Sequence, residues 1–208
     1  MAHASSRLLK LALPLVKEHG FTRETLARSA LFISEPPATP LSDSAVSALF
    51  GEGDNARRTL VNAWLEEGRE QMKLQPSKNI LEVLSARLKY NEPVLPSLPE
   101  AFALLGSPRS GLPPLDVRPA LRHATAVADE ACHIVGDTSV GPAWYAKRAS
   151  LAAVYAAAEL HQLTSPDTSR VFLASLLASS SSINTALTEV ELFGSYVAKS
   201  WRNIRLNE

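Results

Sequence analysis

Residues 136–151 read Gly136-Asp137-Thr138-Ser139-Val140-Gly141-Pro142-Ala143-Trp144-Tyr145-Ala146-Lys147-Arg148-Ala149-Ser150-Leu151. Gly141 and Pro142 form a break, and an Ala/Leu-rich helix from Trp144 to Leu163 follows it. Neighbouring residues on a helix point about 100° apart. Trp144 and Tyr145 therefore do not share one core slot, and one of them is expected to face outward. Lys147 and Arg148 fall in the first turn, where positive charge opposes the helix macrodipole by about a few tenths of a kcal/mol. Two readings fit: a contact surface, or a core Trp beside a solvated basic turn.

Working outward, the whole chain reads as helical, with breaks at helix-bundle spacing and no alternating strand pattern. Upstream, Val117 to Val135 makes a long helix ended by Gly136. Further back, helices are expected at Ser5 to His19, Arg23 to Leu31, Ser44 to Phe50, Asn55 to Lys73, Lys78 to Lys89 and Glu100 to Leu105. Gly20 stops the first. Thr22, Ser42 or Asp43, Asp54 and Ser77 are the expected caps. Gly106 to Pro114 reads as a loop. Downstream, Pro166-Asp167 punctuates before a helix from Ser169 to about Ser179. The serine run Ser179 to Ser182 is poor in helix propensity and fits either a bend or a hinge.

Charge is balanced, with 21 basic and 21 acidic residues, so no global basic field attracts nucleic acid. The single cysteine, Cys132, excludes an intramolecular disulfide framework and reads as a buried structural thiol. No apolar run reaches the roughly 18–20 residues that span a bilayer. The start, Met1 to Leu13, has the basic residues of a targeting segment, but its apolar spacing runs into the first helix.

The N-terminal helix, turn, short helix resembles a helix-turn-helix. Its second helix would have to supply phosphate-neutralising cations and base-reading side chains. Residues 42–50, Ser-Asp-Ser-Ala-Val-Ser-Ala-Leu-Phe, contain no Lys, Arg, Asn or Gln. Val46, Leu49 and Phe50 are expected to pack the lobe. Arg23, Arg28, Arg57 and Arg58 read as solvated charges.

Glu130 and His133 share a helical face at the Glu-x-x-His spacing of di-iron bundles. No second copy exists in the chain. The expectation is an exposed Glu130, a hydrogen-bonded His133 and a solvated His123. No Gly-rich phosphate loop, Gly-x-Ser-x-Gly or His-Glu-x-x-His is present, so catalytic, cofactor and metal residues are all expected to be none.

Leu187, Val190, Phe193, Val197, Trp201 and Ile204 recur at three and four residues, with Lys199, Arg202 and Arg205 close by. Such a stripe suits either core packing or an interfacial helix on a membrane. The two long Ala-rich helices can approach closely or leave apolar space between them. Val127, Ala131, Ile134, Leu151, Val154, Tyr155, Leu173 and Leu176 are candidates to line such a space, although ordinary core is the commoner role for any one of them.

The central stretch also resembles a known family. Gly136-Asp137, Ser139, Trp144-Tyr145, Lys147-Arg148-Ala149, Leu151-Ala152, Val154-Tyr155 and Glu159-Leu160 follow the pattern of the TetR-like lipid-binding protein of ubiquinone (coenzyme Q) biosynthesis. That protein is the accessory partner of the demethoxyubiquinone hydroxylase. Glu18-His19-Gly20-Phe21-Thr22, Leu49-Phe50-Gly51, Asp167-Thr168 and Phe172-Leu173 extend the likeness over roughly residues 7–204. Gly141-Pro142-Ala143 departs from it, since an acidic or polar-aromatic approach to the Trp is more usual there.

The resemblance implies an all-α, TetR-like bundle of about nine or ten helices. A helix-turn-helix-like lobe would occupy residues 1–75, a ligand-binding and dimerisation body 76–182, and an amphipathic helix 183–208. It implies a non-enzymatic carrier of isoprenoid quinone intermediates or phospholipids that presents them to the hydroxylase. It places the protein as a homodimer, peripheral on the matrix face of the mitochondrial inner membrane, with a longer presequence ahead of Met1. Asp137, Trp144, Tyr145, Lys147 and Arg148 would face the partner. Phe193, Val197, Lys199, Trp201, Arg202 and Ile204 would meet the membrane. The competing reading is a TetR-type transcriptional regulator responding to a small apolar effector.

Overall fold

The computed structural model describes residues 2–74, 77–108 and 115–180. All regular structure among them is helical. The order is α1 (Ala2–Ala12), α2 (Val16–His19), α3 (Arg23–Arg28), α4 (Asp43–Phe50), α5 (Asp54–Lys73), α6 (Ile80–Asn91), α7 (Leu98–Gly106), α8 (Arg118–Ile134), α9 (Pro142–Thr164) and α10 over residues 169–180. Eight helices of six residues or more have both ends among the described residues, slightly fewer than expected. The all-α class and its short-helix N-terminal lobe are consistent with a TetR-like bundle.

The first helix is interrupted where Pro14 lacks the N–H for an i→i−4 bond. Residues Leu13–Leu15 tighten into a 3₁₀ turn, with Val16 N donating to the Leu13 carbonyl. Gly20, at φ 63°, ends α2 and lies so close to Ser97 that a Cβ there would sit 3.1 Å from its Oγ. Thr22 caps α3 as expected, accepting from Thr25 N at 3.3 Å, and Ser42 caps α4, accepting from Ala45 N at 3.2 Å. Two expected caps are corrected. Gly53, at φ 52°, precedes α5, and Asp54 instead pairs with Arg57 inside the first turn. Asn79 rather than Ser77 caps α6, its Oδ1 accepting from Leu81 N at 2.9 Å.

Two apolar clusters hold the bundle. The first joins α1, α3, α4 and the first half of α5 to Val94, Leu98, Ala101 and Leu105. Val46 and Phe50 are buried in it, and Leu49 packs against it. Trp64 anchors its edge, with Phe21 edge-on at 6.0 Å between ring centroids and Tyr90 at 4.6 Å. The second cluster gathers α6, α8, α9 and α10 around Tyr155. Small residues let α8 and α9 run close together: Ala124, Ala128, Ala131, Ala152 and Ala158 are all buried.

Arg23 and Arg57 are held by internal bonds rather than standing as solvated charges, whereas Arg28 remains at the surface. Arg23 donates from Nε to Asp43 Oδ1 at 2.7 Å, and from Nη2 to the Asp43 carbonyl at 2.9 Å and to Ser47 Oγ at 2.8 Å. Its Nη1 reaches the Gly53 carbonyl at 3.1 Å. Arg57 donates to the Phe21 carbonyl and pairs with Glu100. Arg28 pairs with Glu24, and Arg58 Nη2 donates to the Ser107 carbonyl.

Candidate functional site

The α8–α9 corner is built around Asp137. Gly136 and Gly141 bracket the connection at φ 74° and 61°, backbone that residues with a Cβ rarely adopt. The turn is closed by Asp137 N donating to the Cys132 carbonyl at 2.9 Å. The Asp137 side chain is only 5% exposed. Lys147 Nζ reaches its Oδ1, Ser139 Oγ donates to Oδ2 at 2.5 Å, and Arg148 Nη1 donates to Oδ2 at 3.1 Å. Lys147 and then Ser139 hold the carboxyl well below the usual carboxylate range, against the opposing pull of burial. α9 begins at Pro142, so Lys147 and Arg148 fall in its second turn rather than the first, beyond the main reach of the helix dipole, and are placed to neutralise Asp137.

Arg148 does more than pair. Its Nε donates to Asp129 Oδ1 at 2.6 Å on α8, and its guanidinium lies 4.0 Å over the Trp144 ring. Trp144 is half-buried beneath it and meets Tyr145 edge-on at 4.7 Å. Tyr145 is the outward residue of the pair, at 70% exposure, next to Val140 at 80%. Of the five residues read as partner-facing, Tyr145 and Lys147 are exposed and Trp144 is half-buried; Asp137 and Arg148 are internal struts that fix the other three.

The eight candidate lining residues converge on the second core. Val127, Ala131, Leu151, Val154, Tyr155 and Leu173 are buried in it, and Ile134 and Leu176 pack against it. Among them only Leu151 lines one of the described cavities, a cleft of about 680 Å³ with Ile80, Val135 and Lys147. Phe193, Val197, Lys199, Trp201, Arg202 and Ile204 lie outside the described residues, as do Ser181 and Ser182 of the serine run.

A buried polar cluster in the same core escaped the sequence reading. Arg87 on α6 has no exposed side-chain surface, and Glu159 on α9 is 5% exposed. Glu159 Oε1 accepts from Tyr155 Oη at 2.6 Å and Asn91 Nδ2 at 3.0 Å, and faces His123 Nε2 at 3.2 Å. Arg87 Nη1 donates to Asn91 Oδ1 at 2.8 Å, and its Nη2 stands 4.0 Å from Glu159 Oε1. Burial pushes the Glu159 carboxyl up, but His123, Arg87 and Tyr155 together outweigh it and bring it down to about 2. Burial drives the Tyr155 phenol well above its ordinary value, so it serves as a donor. Gly68 makes room for the cluster, since a Cβ there would lie 2.9 Å from Arg87 Cζ and 2.7 Å from Tyr90 Cδ1.

These contacts correct three expectations. His123 is 10% exposed and paired, not solvated, because α9 brings Glu159 against it. Glu130 is mostly covered and faces Lys73 Nζ at 3.6 Å. His133 is exposed. Cys132 is fully buried, and desolvation raises its thiol pKa. Among the described residues no group of three or more His, Cys, Asp or Glu side chains is arranged to hold a metal ion, and no helix is long and apolar enough to cross a membrane.

The described fold and its corner define an all-helical bundle that carries one exposed aromatic, Tyr145, on a half-buried Trp144 braced by a buried carboxylate. Residues 117–182, covering α8, the corner, α9 and α10, match the COQ9 family model. A protein named "Ubiquinone biosynthesis protein COQ9, mitochondrial" from Bos taurus is 31% identical over 173 residues, 77% of this chain and 51% of that protein. The Homo sapiens protein of the same name is 28% identical over 179 residues, 77% of this chain and 52% of that protein. The one from Xenopus tropicalis is 26% identical over 203 residues, 92% of this chain and 62% of that protein. The chain spans about half the length of the bovine and human relatives. The similarity to the COQ9 family is thus carried by residues 117–182 and extends, at lower identity, over most of the chain.

Proposed function

We propose that this chain is a non-enzymatic, lipid-binding accessory protein of ubiquinone biosynthesis. It acts in the mitochondrion, peripheral to the matrix face of the inner membrane, as a homodimer. It binds an isoprenoid quinone intermediate or a phospholipid and presents it to the demethoxyubiquinone hydroxylase. The observation that carries the partner-binding part is Tyr145, an exposed aromatic set edge-on against Trp144, whose ring is in turn covered by the Arg148 guanidinium bound to Asp137, inside the family-matched region. Rigid aromatics bind at low entropic cost, and such anchors dominate interfaces. The names of the relatives, which specify ubiquinone biosynthesis and the mitochondrion, support the pathway and the compartment. Residues 183–208, with Phe193, Val197, Trp201 and Ile204 on one stripe, would meet the bilayer.

The transcriptional alternative has no observation in its favour. Asp43 opens the helix that would enter the groove, and Arg23, the cation beside it, is committed to internal bonds.

The test has two arms. Organic extraction of the purified protein followed by mass spectrometry should recover quinone intermediates or phospholipids. Tyr145→Ala should lose capture of the purified hydroxylase while keeping the wild-type melting temperature. A lipid-free extract from folded protein sinks the carrier part, and undiminished capture by Tyr145→Ala sinks the docking part.

A further inference from the structure

A second site stands apart from both the aromatic corner and the packed core. A groove of about 910 Å³ runs between α5, α7 and the start of α8. That is large enough for a small amphiphile. Four arginines line it, Arg58, Arg69, Arg118 and Arg122, with His123 beside them. Two carboxylates also line it: Glu66 pairs with Arg69, and Asp116 pairs with Arg118 at 2.8 Å. Among the described residues Arg58 and Arg122 face no carboxylate at ion-pair distance: Arg58 Nη2 donates to the Ser107 carbonyl, and Arg122 is within electrostatic reach of Asp116, which is already paired with Arg118.

The walls supply a different chemistry. Leu65 and Leu105 are buried in the groove's side, while Leu115 and Val117 stand 62% and 51% exposed at its mouth. Exposed apolar side chains beside unpaired arginines match a ligand that is anionic at one end and oily at the other. Guanidinium forks suit phosphate oxygens in particular, through paired charge-assisted hydrogen bonds.

We propose that the α5–α7–α8 groove binds a phosphate-bearing amphiphile, its phosphate on Arg58 and Arg122 and its apolar part against Leu115 and Val117. His123 links this groove to the interior, since the same imidazole that lines it faces Glu159 at 3.2 Å. The proposal goes beyond the carrier reading. It names a head-group chemistry and a place that none of the candidate lining residues occupies.

The experiment is isothermal titration of the whole chain with soluble dihexanoyl phosphatidic acid, with dihexanoyl phosphatidylcholine and inorganic pyrophosphate as comparison probes. Phosphatidic acid should bind tightest. Arg58→Glu with Arg122→Glu should weaken it by about tenfold or more, the scale of losing charge-assisted bonds. Val117→Ser should weaken phosphatidic acid and leave any pyrophosphate binding unchanged. Circular dichroism melts establish that the variants fold, and the single Arg122→Ala variant repeats the test if the double charge reversal does not. Affinity unchanged by the arginine variants overturns the site. Equal affinity for the choline lipid, a zwitterion that keeps the phosphate, overturns the requirement for a net anionic head group. Pyrophosphate binding as tightly as phosphatidic acid overturns the apolar half, and no binding of any probe overturns the whole. Lipids recovered from a protein whose arginine variants bind normally would leave the carrier reading intact and remove only this site.

Discussion

Replacing Glu159 by Gln keeps the shape of the buried cluster and deletes its negative charge. Arg87 then remains fully covered with Asn91 as its hydrogen-bond partner, and its Nε and Nη2, which make no hydrogen bond even in the native fold, lose the carboxylate charge 4.0 Å from Nη2. Removing one member of a buried ion pair costs about 3–5 kcal/mol, because the other charge stays desolvated. The carboxyl gives a second route to the size. Its value falls from 4.5 in the unfolded chain to about 2 in the fold, which corresponds to roughly 3 kcal/mol of stabilisation of the charged form. The folded value is the lower one, so this contribution is complete above pH 4.5 and is lost as pH falls toward 2. Urea unfolding followed by circular dichroism should therefore show Glu159→Gln less stable than wild type by about 3 kcal/mol at pH 7. The gap should narrow steadily once pH drops through the window between 4.5 and 2. A loss under about 1 kcal/mol at pH 7, far below the cost of orphaning a buried charge, or a gap that stays constant with pH, would refute the argument that this carboxylate balances Arg87.

Two further outcomes follow from packing. Gly68→Ala places a Cβ against Tyr90 and the Arg87 guanidinium and should cost about 1–3 kcal/mol in urea unfolding, with loss of the Trp64–Tyr90 contact visible as a change in Trp fluorescence. Cys132 should resist a thiol reagent in buffer and react fully in denaturant, since it is buried and its thiol pKa is raised by that burial.

Punctuation by Gly and Pro made the helices legible. Gly20, Gly51, Gly136 and Gly141 all sit at positive φ where the sequence shows a stop or a break. The family-bearing corner was legible too, because Trp144-Tyr145 is conspicuous in an Ala-rich run. What failed was the assignment of charges to environments. Arg87 sits among leucines on a helix whose exposed and buried faces differ little in sequence, and nothing local says that Gly68 opens a slot for it. Glu159 and Tyr155 are four residues apart on one face of α9, which was visible, but their partners Asn91 and His123 come from 68 and 36 residues away. Arg23 and Arg57 read as solvated for the same reason: their acceptors are carbonyls and carboxylates brought in by turns. Long-range partners of polar groups are a property of the tertiary arrangement, whereas stops and apolar spacing are properties of the local chain.

The bonds of Arg23 carry a mechanical consequence. One guanidinium, anchored at the first residue of α3, grips the leading turn of α4 and the Gly53 carbonyl just before α5. Three segments therefore meet at a single joint, and sliding α4 past α3 would break the Arg23 bonds to Asp43 and Ser47, whereas tilting the two helices together would keep them.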